Sequence, residues 1–247
     1  MAKIAKKDEC FKNYKKKRPM YKALAGLLKL FTKKQTIVNY NEKIIEPCIF
    51  ISNHSAANGP FKLNLRFPYA FSPWGINDMC KGYKSRWNYL VHTFYGQKLK
   101  YGKFRSRFIG TLFALISGYL YRNVGVIPTY TDASLLNTMK ISMERLEGGN
   151  NVLIFPEDST DGYFEVLTKY YPGFAMLSKL YMKKTGIDLP VYPIHLNKKK
   201  RIITIGEPMF VGKELGNGKT LEEIAEFAKD YTNSLANTEL TGNEQKV

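Results

Sequence analysis

Residues 135–160 read LLNTMKISMERLEGGNNVLIFPEDST. In the first half, Leu135, Leu136, Met139, Met143 and Leu146 recur at the three-and-four spacing of one helical face. Gly148 and Gly149 then supply a helix stop. Val152, Leu153, Ile154 and Phe155 form a short apolar run that Pro156 ends, as a buried strand requires. A helix followed at once by such a strand is the repeating unit of an α/β layered protein.

The alternation extends in both directions. Strand signals fall at 36–40, 47–52, 124–128, 151–155, 189–194 and 201–205. Helical patterns fall at 20–32, 106–121, 133–147, 173–184 and 220–235. The expected fold is α/β, with a central, largely parallel or mixed sheet flanked by helices. In such sheets, sites form beyond the carboxyl ends of strands. His54 stands there after "CIFIS", and "PEDST" stands there after "NVLIF".

A chain of 247 residues is long enough for one domain with a real core, and 44% apolar residues make it globular. Its formal net charge of +17 favours an anionic partner. Cys10, Cys48 and Cys80 are odd in number and never paired as C-x-x-C, so a reducing compartment fits. His54, His92 and His195 are scattered without metal spacing, and the latter two read as structural. No recognised nucleic-acid motif accompanies the charge, so nucleic acid is an unlikely partner.

Residues 1–34 hold 12 Lys/Arg against Asp8 and Glu9. Within them Leu24, Leu27, Leu28 and Phe31 share one helical face. This segment is expected to be a basic amphipathic membrane-interface element, with 35–247 as the α/β domain. A second basic stretch, from Lys81 to Arg107, has eight Lys/Arg and no acid. Aromatics interleave with its cations, and Trp87 is the interface candidate there. The apolar run 109–121 is too short to span a bilayer and reads as a buried or interfacial helix. The expected location is cytoplasmic and peripheral, on the inner face of an anionic membrane.

Four segments in order resemble the motifs of the glycerolipid (lysophosphatidic acid) acyltransferase family: "CIFISNH", "GVIP" (125–128), "GGNNVLIFPEDST" and "LPVYPI" (189–194). They span roughly 35–210. The resemblance implies an acyltransferase without cofactor. It would move a fatty acyl group from acyl-CoA or acyl carrier protein to a lipid-related hydroxyl. His54 would be the general base that takes the hydroxyl proton. The family places an Asp five residues after that His, to fix its tautomer and stabilise the imidazolium. Here position 59 is Gly59. Asn58, Glu157, Asp158 and Asp78 are alternative partners, and Glu157, which matches the family's Glu, is favoured. Asn53, Asn58, Gly59, Pro156, Asp158, Ser159 and Gly173 are expected to line the substrate site, Gly173 matching a family glycine after the third motif. The family's two phosphate-gripping arginines are missing from "TYTD" (129–132) and "STD" (159–161), leaving Lys62, Arg66 or Lys169 to replace them. The other class of reading is a catalytically silent relative that binds anionic lipid or acyl chains, with Gly59 as its main support.

Overall fold

The computed structural model describes residues 19–55, 58–130, 132–160, 162–240 and 245–246. The basic residues 1–18 of the expected membrane-interface segment lie outside these. The strands are β1 Thr36–Asn39, β2 Ile49–Ser52, β3 Phe71–Ile76, β4 Ile127–Thr129, β5 Asn151–Ile154, β6 Pro190–Asn197, β7 Ile202–Ile205, β8 Met209–Phe210 and β9 Gln245–Lys246. The helices are α1 Pro19–Phe31, α2 Asn58–Arg66, α3 Asn77–Cys80, α4 Tyr83–Asn88, α5 Lys103–Val124, α6 Leu135–Glu147, α7 Gly173–Thr185, α8 Val211–Gly216 and α9 Leu221–Ser234. A π-helical segment, Tyr89–Lys98, follows α4 directly. The described residues divide into two compact units: those within 27–71, 142–158 and 163–246 form one, and those within 19–26, 72–141 and 159–162 the other.

The larger unit is built on the strand order β5-β2-β6-β7-β1-β9. β2 runs parallel to both neighbours, with Ile51 level with Ile154 on β5 and with Pro193 on β6. β7 turns back antiparallel to β6, and β1 runs parallel to β7. The sheet is therefore mixed, with a parallel centre β5-β2-β6 and antiparallel pairs at β6–β7, β6–β8 and β1–β9. All four residues of β2, β5 and β7 are buried, which is why they read as unbroken apolar runs rather than alternating ones. Phe50, Leu153, Tyr192, Ile194 and Ile203 sit in its core. Asn151 ties the entry of β5 to the chain around it. Its side-chain oxygen accepts from Cys48 N at 3.0 Å, and its amide donates to Ala70 O at 2.9 Å. Gly149 ends α6 in the left-handed conformation, at φ 77°.

In the smaller unit β3 pairs parallel with β4, Trp74 opposite Ile127. Its helices pack around Met79, Leu90 and Ala114. The sequence signals gave a helix at 106–121, but α5 is 22 residues long. Val124, expected in a strand, ends this helix. The π-helical segment escaped notice because its apolar residues do not keep a 3.6-residue period. Trp87 serves packing: its ring N–H donates to Thr111 Oγ1 on α5 at 2.8 Å. Cys48 and Cys80 are buried, and burial, with Glu46 nearby, pushes the Cys48 thiol up. Among the described residues no helix is long and apolar enough to cross a membrane, and no His/Cys/Asp/Glu group could hold a metal.

His195 lies inside β6, opposite Thr204, and is 5% exposed. Burial lowers its pKa to about 4 from the ordinary 6.5. The folded ring is neutral, while the unfolded one protonates near neutrality. Its contribution is therefore complete above the unfolded value and is lost as the pH falls toward about 4. The loss amounts to about 3 kcal/mol. In urea unfolding at about pH 7.5 and about pH 4.5, His195→Gln should lose less stability between the two than the wild type does.

Candidate functional site

The parallel register of β2 with β5 and β6 sets the site. Because Ile51 and Ile154 are level, the two chains leave the sheet together, one into Asn53-His54 and the other into Pro156-Glu157. Asn53 extends the β2–β6 ladder with its side chain. Leu196 N donates to Asn53 Oδ1 at 2.8 Å, and Asn53 Nδ2 donates to Leu196 O at 3.2 Å. Its amide is thus committed to β6 and positions the next residue, rather than facing a substrate.

His54 meets Glu157. The His54 backbone N–H donates to Glu157 Oε2 at 2.9 Å, and the ring Nδ1 lies 3.3 Å from the same oxygen. The Glu157 side chain is 3% exposed and that of His54 is 21% exposed. Nδ1 itself is sealed from solvent, so the accessible part of the ring is elsewhere. The imidazole is flanked by Phe155 and Tyr163, with ring centroids at 4.7 and 5.0 Å. Ser55 follows in the left-handed conformation, at φ 44°, a strained state for a residue with a Cβ. Nδ1 makes no hydrogen bond in this geometry; the carboxylate 3.3 Å away acts on it through its charge, which favours the proton on that nitrogen.

Glu157 is fixed by its own strand. Glu157 bridges antiparallel to Tyr170, Asp158 N donates to Lys169 O at 3.1 Å, and Tyr171 N donates to Pro156 O at 2.8 Å. Buried Pro156 thus contributes its carbonyl to this ladder. Tyr170 is buried against the carboxylate. Burial first, and then the Glu157 charge, push its phenol up, against a partial offset from Thr232. Asp158 Oδ2 is 3.7 Å from Lys169 Nζ.

Gly59 is tied to His54 by close approach. Gly59 N donates to His54 O at 2.9 Å. A Cβ at position 59 would lie 2.0 Å from that carbonyl oxygen and 2.7 Å from its carbon. No side chain fits without moving the backbone that carries His54. The Asn58 side chain lies outside the described residues. Gly173 opens α7, just after Pro172. Ser159 belongs to the smaller unit, where its hydroxyl accepts from Lys98 Nζ at 2.7 Å. Asp78, also in that unit, accepts from Ser85 Oγ at 3.0 Å and lies 3.5 Å from Lys81 Nζ.

Of the three cations expected to replace the missing arginines, two have other partners. Arg66 donates to the carbonyls of Lys29 and Thr32, and Lys169 is paired with Asp158. Lys62 differs. Burial, then the charges of Lys198 and Arg201, lower its pKa. Residues 198–201 form the β6–β7 turn, on the same sheet edge as His54, because β6 runs parallel to β2. A hollow of about 410 Å³ opens at this turn, lined by Lys34, Gln35, Thr36, Lys199, Lys200 and Arg201. The motif comparison had not pointed to this turn, although the run Lys198-Lys199-Lys200-Arg201 was its visible signal.

Set against known proteins, the chain matches no family model and no curated protein. Among solved structures it is similar to the 1-acyl-sn-glycerophosphate (LPA) acyltransferase PlsC from Thermotoga maritima. The identity is 11% and the TM-score 0.42, over 86% of this chain and 89% of that one.

Gly59→Asp should fail to add a second carboxylate to the imidazole. It is expected to lower stability by about 1–3 kcal/mol, since the backbone of 54–59 must shift. A thermal melt of the variant showing wild-type stability would contradict this.

Proposed function

We propose that the protein is an acyltransferase that moves a fatty acyl group from a thioester, acyl-CoA or acyl carrier protein, to a lipid-related hydroxyl. The observation that carries the reading is the Glu157 carboxylate 3.3 Å from His54 Nδ1, beyond the carboxyl ends of β2 and β5. His54 Nε2 takes the proton of the acceptor hydroxyl as its oxygen attacks the thioester carbonyl. The tetrahedral adduct then collapses, the carbon–sulfur bond breaks, and the thiol leaves with the proton that the imidazolium returns. Glu157 keeps the tautomer and stabilises the imidazolium between the two transfers. The cations Lys62, Lys198 and Arg201 hold an anionic portion of donor or acceptor at the same edge. The silent-relative reading rested on Gly59 as a lost carboxylate. Glu157 beside the ring weighs toward the acyltransferase reading.

Transfer from radiolabelled acyl-CoA and acyl carrier protein to a panel of lysolipid and alcohol acceptors tests the reading. His54→Ala should abolish turnover. Glu157→Gln, which keeps an acceptor for the His54 N–H, should lower kcat by about 10²–10⁴. No transfer to any acceptor, or full activity in either variant, would sink it. In the same assay Lys198→Ala with Lys62→Ala should raise KM by about ten-fold and leave kcat within about two-fold, as lost uniform binding does.

A further inference from the structure

Helix α5 presents two faces of opposite character. Ser106, Gly110, Ala114, Ser117 and Gly118 are buried. A Cβ at Gly110 would come within 2.6 Å of Val91 Cγ2, and one at Gly118 within 2.7 Å of the Arg86 guanidinium carbon. The helix is therefore seated by its smallest residues. Its large apolar residues point the other way. Phe104 is 86% exposed, Phe108 60%, Leu112 52%, Leu115 64% and Ile116 53%. Their spacing of i, i+4, i+8, i+11 and i+12 makes one stripe, about 18 Å long. A soluble surface scatters such residues singly, whereas a contiguous stripe marks a docking face.

The charge around the stripe identifies what it docks on. From residue 79 to residue 131 the sequence holds nine Lys/Arg and no acid. Arg86 is turned inward, but Lys103, Arg105 and Arg107 are exposed in the first turns of α5, beside Phe104 and Phe108. A second copy of this surface is a poor partner, because a two-fold contact would set these cations against themselves. An apolar stripe rimmed by unopposed cations is complementary to a surface that is anionic at its face and apolar just beneath.

We propose that the exposed face of α5 docks on an anionic lipid bilayer, with the Phe104–Ile116 stripe inserted among the acyl chains and Lys103, Arg105 and Arg107 at the headgroups. This contact is separate from the one expected of residues 1–34. The docking stands whether or not His54 transfers a proton, so it is tested without turnover.

The full chain is sedimented with phosphatidylcholine vesicles, with and without phosphatidylglycerol. The wild type should partition to the anionic vesicles about ten-fold or more better than to the neutral ones. Phe108→Ser with Leu115→Ser should lower that partition about ten-fold or more. Far-UV dichroism and melting should stay unchanged, since both side chains face solvent. Lys103→Glu with Arg107→Glu, which leaves the stripe intact, should also weaken binding, and salt should weaken the wild type. Equal partition by all variants overturns the proposal. So does loss confined to Leu27→Ser with Leu30→Ser on α1, or a wild-type dimer in light scattering that Phe108→Ser with Leu115→Ser splits.

Discussion

One carboxylate oxygen organises the larger unit's functional edge. Glu157 Oε2 accepts the His54 backbone N–H, which fixes the strand tip, and lies 3.3 Å from the ring Nδ1. It can do so only because β2 and β5 are parallel and in step, and because the 156–158 segment is itself paired to 169–171. A carboxylate buried this deeply is costly to desolvate unless its acceptor capacity is used. The His54 backbone N–H supplies one such partner. The arrangement thus couples a structural need to a chemical one.

The same edge explains how charge is distributed over the sheet. The β6–β7 turn carries Lys198, Lys199, Lys200 and Arg201 within two strands of His54, and Lys62 joins them from α2. Lysines brought this close repel one another, which costs stability in the absence of an anion. Such self-repulsion is characteristic of surfaces that gain when a negative group arrives. By contrast, Arg66 is spent on carbonyls of α1 and the following turn, a structural tie between consecutive elements.

Much of the fold was legible because it is local. The helix at 135–147, the Gly149 stop and the buried strand after it depend only on spacing and on one residue able to take positive φ. His54 and Glu157 could be marked as residues beyond strand ends, and the α/β class followed from the alternation. Their 3.3 Å approach could not be read, because it depends on the register between strands a hundred residues apart. The role of Asn53 was hidden for the same reason: only the position of Leu196 shows that its amide completes a ladder. The run 109–121 was read as buried or interfacial, and α5 is both, on opposite sides. An apolar total says nothing about which side the small residues face. The π-helical segment has no period that a 3.6-residue template can detect.

The contact between Gly59 and the His54 carbonyl bears on how such a site could have changed through time. The space an Asp side chain would start from is occupied by the backbone of the very residue it would serve. In this loop an aspartate at position 59 therefore requires the backbone of 54–59 to move as well. The two ways of orienting the imidazole are separated by a loop rearrangement. Glu157, held beyond the end of a different strand, lies beside the imidazole independently of the residue at position 59.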